Sequence, residues 1–180
     1  MKTPERYTIL ELGFAGYPAI GVPERRPLER DQQYIGLGPF DGPNPEHEAA
    51  VAQVMLDVYN KIFEGHRQVR IGLAQDLSFL NHQVNEIIAV DLLGYPILSQ
   101  PTRQTIASEA RRVIAATGLV TVVETMTPHI HPIDTLAELM GAHGFQQTNS
   151  GQERNPEQIA LYSDVKNTLG YIATFAPNQR

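Results

Sequence analysis

The 180-residue chain has no cysteine. That absence excludes disulfides, thiolate zinc sites and a cysteine nucleophile, and it is compatible with the cytosol. Long apolar runs are missing too, since a bilayer span needs about 20 consecutive apolar residues and the chain holds nothing close. Met1-Lys2-Thr3-Pro4-Glu5-Arg6 carries positive charge with no apolar stretch behind it, so no secretory signal is read there. Positive charge itself is scarce, with 14 Lys and Arg against 20 Asp and Glu, a net charge of −6. Such a balance disfavours broad binding to nucleic acid or to anionic membrane. Internal repeats, low-complexity tracts and linkers are also absent. The expectation is one cytoplasmic domain over residues 1–180, with no membrane partner and no nucleic-acid partner.

What is present alternates between two kinds of segment. Tyr7–Leu12, Gln33–Gly38, Val69–Leu73, Glu86–Leu92, Leu119–Val123, Phe145–Thr148 and Leu169–Phe175 are short apolar runs bounded by glycine or polar turns, the mark of buried strands. Between Gly16 and Arg30, three prolines and two glycines argue against a regular helix. Glu46–Glu64 is the clearest helix: Val51, Val54, Met55, Val58, Tyr59, Ile62 and Phe63 make a full apolar stripe, and Gly65 stops it. Thr102–Ala116 is a second helix, with Thr102 as N-cap and Ile106, Ala110, Val113 and Ile114 as its core face. Pro132–His143 is a third, with Ile133, Leu136, Leu139 and Met140 inward. Strands alternating with crossovers predict an α/β domain, a mostly parallel sheet covered on both faces.

In such a sheet, ligands bind beyond the carboxyl ends of the strands, where the strand order reverses. The residues there are Glu11-Leu12-Gly13-Phe14-Ala15-Gly16, then Gln75-Asp76, Asp91-Leu92 and Glu124 with the segment that follows it. Glycines at a strand end let the backbone approach a ligand or simply shape the turn. Asp91 is read equally as a ligand contact or as a strand-end residue bonding a neighbouring loop. His129 and His131 stand where a general base is wanted, because imidazole titrates near neutral pH. Tyr95 and His82 are lesser candidates of the same kind. Two histidines at i, i+2 can begin a metal site, but no third ligand is identifiable and no metal is assigned. Arg111 and Arg112 read as a solvated helix face. Neither Gly-x-Gly-x-x-Gly nor a Walker lysine is present, which counts against other nucleotide-binding enzymes.

Ile9-Leu10-Glu11-Leu12-Gly13-x-x-Gly16 resembles the first motif of class I S-adenosylmethionine-dependent methyltransferases. Val84–Leu93 is similar to their fourth strand, which carries an acidic residue near its end, and Glu109–Glu124 to their helix and fifth strand; Gly144-Phe145 matches the entry to the sixth. The likeness runs over nearly the whole chain. It implies a three-layer, seven-stranded Rossmann-like sheet with an antiparallel last strand, and S-adenosylmethionine as cofactor. It further implies that Gly13, Ala15 and Gly16 lie under the methionine part, with Glu11 organising that loop. Asp76 would reach the adenine amine, and Asp91 and Leu92 would floor the cleft. The ribose-binding acid of the family falls at Gly38, with Asp41 as the nearby substitute. The activity implied is methyl transfer to a small-molecule acceptor. The alternative is a non-catalytic partner or scaffold subunit, and assembly with another protein or a second copy is compatible with either.

Overall fold

The computed structural model describes residues 6–14, 18–21, 25–39, 43–79, 81–93, 98–125, 133–148, 161–162 and 171–178. Among them runs one seven-stranded sheet in the order β3-β2-β1-β4-β5-β7-β6. Its strands are β1 (Tyr7–Leu12), β2 (Gln32–Gly38), β3 (His66–Ile71), β4 (Val84–Val90), β5 (Ile114–Glu124), β6 (Phe145–Gln147) and β7 (Tyr171–Pro177). The first five pair in parallel, while β7 lies antiparallel between β5 and β6. Helix α1 (Pro45–Ile62) joins β2 to β3, α2 (Gln100–Val113) joins β4 to β5, and α3 (Ile133–Ala142) joins β5 to β6. The α/β architecture and the antiparallel last strand are therefore as predicted.

Several boundaries move, each for a local reason. β4 ends at Val90 because Asp91 turns into the left-handed region at φ 49°. The N-cap of α2 is Ser99, not Thr102: its hydroxyl accepts from the Thr102 N–H, and a proline occupies the first turn, where its fixed φ suits the helix. The same helix stops at Val113 because Ile114 is already extended and paired with Val84 across the sheet. Leu169 and Gly170, predicted to open the last strand, lie outside the described residues.

One face of the sheet takes α2 and α3. Ile106, Ala110, Val113, Leu136, Leu139 and Met140 are buried there against Leu10, Ile35, Ile87, Val120 and Val122, as their spacing predicts. The opposite face takes α1 and residues 18–21 and 25–29, which bury Ala19, Ile20, Leu28, Ala52 and Leu56 on Ile9, Tyr34, Ile88 and Val123. No helix follows β1 among the described residues.

α1 itself is turned the other way from its pattern. Val51, Val54, Met55, Val58, Ile62 and Phe63 face outward, between 41% and 64% exposed, whereas the inward residues are Ala49, Ala52 and Leu56. The reason is β3, the edge strand of the sheet, whose outer backbone groups lack a neighbouring strand. Polar side chains of α1 take that place. Gln53 Oε1 accepts from the Val69 N–H at 2.7 Å, and Asn60 both accepts from the Arg67 N–H at 2.8 Å and donates to the Arg67 carbonyl at 2.9 Å. Orienting these amides toward the edge satisfies groups that would each be costly to leave buried and unpaired. The apolar stripe is left on the outside.

Candidate functional site

The strand order reverses between β1 and β4, so their carboxyl ends bound the crevice in which this topology places ligands. β1 is followed by Gly13, held at φ +78°, a conformation that residues other than glycine rarely adopt. A Cβ there would come within 3.3 Å of Leu92 Cδ1, so the glycine keeps open the space between β1 and the residue after β4. The structure thus brings Gly13 and Leu92 together. Asp91, beside Leu92, turns its carboxylate to β5: one oxygen accepts from the Thr125 N–H and the other from the Thr125 hydroxyl. Asp91 thereby clamps the ends of β4 and β5, and the crevice floor is set by that clamp together with the Asp91 N–H bond to the Val123 carbonyl at 2.8 Å.

Glu11 is not in the crevice. It is buried on the α1 side of the sheet, where it accepts from the Ala19 N–H at 2.6 Å and from the Tyr34 hydroxyl. Burial pushes its carboxyl up from 4.5 to about 7, against the lowering pull of Tyr34, Ala19 and the Arg25 charge. Burial and the Glu11 charge likewise hold the Tyr34 hydroxyl well above its usual value. Glu11 therefore ties down the segment that follows the Gly13 turn. Three other side chains act on the same segment. Arg67, fully buried, donates from Nε to the Gly21 carbonyl at 2.7 Å; Arg25 reaches the Pro18 carbonyl at 2.6 Å; and Arg26 grips Glu86 on β4 with two bonds of 2.6 and 2.8 Å. Hydrogen bonds from side chains take over here what a helix would do with its own backbone.

Phe14 shows how tightly the turn is seated. Its N–H donates to the Leu37 carbonyl at 3.0 Å, and its ring lies on Gly36, where a Cβ would fall 2.7 Å from the ring carbon Cγ. Since Phe14 is fully buried, the ring cannot step aside. Gly36→Ala is expected to cost about 2 kcal/mol through overpacking, read as a lowered urea midpoint with an unchanged m-value.

The remaining predicted residues are spread more widely. Gly38 ends β2, and its carbonyl accepts from the Gly72 N–H at 3.0 Å, so no carboxylate stands at the end of that strand. Asp76 sits exposed on the tight turn after β3, and its charge acts on Arg112. His82 lies just before β4 starts, at the other end of the strands from Gly13, with Nδ1 2.9 Å from the Ile114 carbonyl. Ala15, Gly16, Asp41, Tyr95, His129 and His131 lie outside the described residues. The segments that follow β1, β2, β4 and β5 fall largely among those positions, so the crevice is described from its floor. Two open hollows of about 860 and 970 Å³ are lined by described residues, but both surround the strand ends opposite Gly13. They are not the ligand crevice of this topology.

Arg112 is not the solvated residue its position suggested. It donates to the carbonyls of Leu77 and Phe79 at 2.7 and 2.8 Å and pairs with Glu109, which accepts in turn from the Leu77 N–H at 2.9 Å. This pair fastens the β3–β4 connection to α2, and the hydrogen bonds from Arg112 hold the Glu109 carboxyl below its ordinary value. Sequence reasoning also missed Arg103 and Tyr171, which are buried with Glu124 beneath the crevice on α2, β7 and β5. Burial, then the Glu124 charge, raises the Tyr171 hydroxyl, with Arg103 opposing. Leu93, Arg103, Leu136 and Tyr171 line a small, partly open hollow of about 30 Å³ there. A signal existed in Glu86, a carboxylate in a strand rich in apolar residues, which must find a partner when buried.

No protein-family model matches the chain, and no curated protein sequence does. Solved structures do match in fold. A SAM-dependent methyltransferase from Methanosarcina mazei superposes with a TM-score of 0.67 at 14% identity, over 99% of this chain and 95% of that one. The [4+2]-cyclase SpnF gives 0.65 at 15%, over 97% and 76%. The Burkholderia thailandensis 1,6-didemethyltoxoflavin-N1-methyltransferase, solved with bound 1,6-didemethyltoxoflavin and S-adenosylhomocysteine, gives 0.61 at 12%, over 97% and 72%. The chain has the class I methyltransferase fold. Among the described residues no helix is long and apolar enough to cross a membrane, and no group of three histidine or acidic residues could hold a metal ion.

Proposed function

We propose that the chain binds S-adenosylmethionine in the crevice between β1 and β4 and transfers its methyl group to a small-molecule acceptor. The observation that carries the reading is the left-handed Gly13 opening onto Leu92 at the switch point of the sheet. The neighbour holding S-adenosylhomocysteine in the same fold supports it. The bound cofactor supplies an electron-poor methyl on a sulfonium, and the chain's own residues do the placing. Gly13, with Ala15 and Gly16, lets the backbone approach the methionine end. The Asp91–Thr125 clamp fixes the floor, Leu92 lines it with apolar surface, and Asp76 accepts from the adenine amine. Alignment of acceptor and methyl then carries much of the rate. His129 or His131 takes the acceptor's proton, and Tyr95 orients it.

Isothermal titration of S-adenosylhomocysteine into the chain tests this directly. Gly13→Val is expected to weaken binding at least about tenfold, equivalent to 1.4 kcal/mol, because the added branches fill the opening toward Leu92. Binding unchanged in Gly13→Val would move the cofactor elsewhere. Absence of heat at millimolar ligand would leave the second reading, a non-catalytic partner subunit, which Gly38 in the ribose position favours.

A further inference from the structure

The outward face of α1 is the least expected surface of the molecule. Val51, Val54, Met55, Val58, Ile62 and Phe63 stand on it at helical spacing, each at least two-fifths exposed. Together they present on the order of 500 Å² of apolar surface, at the upper end of the largest patch an ordinary monomer shows. The hydrogen bonds of Gln53 and Asn60 to β3 fix the rotation of the helix, so the stripe cannot roll inward.

We propose that this face is the contact surface for a second copy of the chain, with the two α1 helices packed antiparallel about a twofold axis. Three features select that occupant. The first is charge: α1 carries Glu46 and Glu48 in its first turn and Lys61 in its last. An antiparallel pair sets the acidic end of each helix beside the basic end of the other and opposes their dipoles favourably. The second is register. With the axis between Met55 and Val58, Met55 of one copy meets Val58 of the other and Val51 meets Ile62. The stripe is self-complementary, as an isologous contact requires. The third is area, since two such faces together remove roughly 1,000 Å² from water, the least that a specific interface buries. Offsets of three and four residues along the stripe suit the shallow crossing of paired helices.

The inference is independent of what the crevice binds. Sedimentation equilibrium or light scattering on the full chain is expected to give twice the 20.0 kDa chain mass at tens of micromolar. Val54→Glu with Val58→Glu is expected to return the chain to 20.0 kDa with unchanged circular dichroism and melting temperature, because both side chains point to solvent in the single chain. Met55→Cys is expected to cross-link two copies on mild oxidation and Val51→Cys is not, because the antiparallel register sets Met55 within a turn of its counterpart and Val51 about three turns from its own. A monomer at all concentrations to 100 micromolar overturns the proposal, and so does a dimer indifferent to the double glutamate variant. Cross-linking through Val51→Cys as readily as through Met55→Cys overturns the antiparallel register.

Discussion

Glu11→Gln is expected to remove a pH dependence of stability worth about 3 kcal/mol. The wild-type carboxyl ionises near pH 7 when folded and near 4.5 in its ordinary state, because burial disfavours its charge. A folded-state pKa above the unfolded one means that the folded protein holds the proton more tightly. The contribution to stability is fully present below about pH 4.5 and is lost as pH rises toward 7. Glutamine never ionises, and its amide oxygen can accept from both the Ala19 N–H and the Tyr34 hydroxyl, which meet the same oxygen of Glu11. Urea unfolding at pH 8 should therefore find Glu11→Gln more stable than wild type by up to about 3 kcal/mol, while at pH 4.5 the two fall within about 1. An equal difference at both pH values would show that another group titrates. The wild-type residue gives stability away near neutrality. What it gains is a charged acceptor for the Ala19 N–H, and charge-assisted bonds of this kind are roughly twice as strong as neutral ones. That bond anchors the backbone just beyond the Gly13 turn.

Arg26→Ala is expected to cost 3–5 kcal/mol. Glu86 is 6% exposed and receives both bonds of the Arg26 fork, so removing the arginine leaves a carboxylate buried without its cation. Exchanging both partners, Arg26→Met with Glu86→Leu, is expected to recover most of the loss, since an apolar pair needs no desolvation compensated. Thermal or urea unfolding of the single and double variants gives the comparison. A single-variant cost below about 1 kcal/mol would place the pair among ordinary surface bridges. The Arg26 backbone also bonds to Gly21 and Leu161, so amide exchange at Gly21 should accelerate in Arg26→Ala and not in the double variant.

These two sites explain where sequence reading stopped. Runs such as Ile9–Leu12 and Val120–Val123 can only be buried strands, and the spacing of Ile106, Ala110, Val113, Leu136, Leu139 and Met140 tells which sides of α2 and α3 go inward. Hydrophobic periodicity is a local property, and most of the chain obeys it. It misled at α1, where pairing the edge of β3 with Gln53 and Asn60 outweighed burying a valine stripe. No local pattern announces that, because the open edge exists only once β3 has taken its place in the sheet.

The sequence by itself determined the order of strands and crossovers, the breaks at prolines and glycines, and the acidic and glycine residues of the first strand's end. Tertiary structure alone decided what those residues touch. It turned Glu11 away from the crevice onto Ala19 and Tyr34, spent Asp91 on Thr125, and made Arg112 a fastener of the β3–β4 connection. The physical reason is the same in each case. A buried polar group must be satisfied by whatever the fold brings within about 3 Å, and those partners, 8 to 35 residues away in the chain, are set by topology.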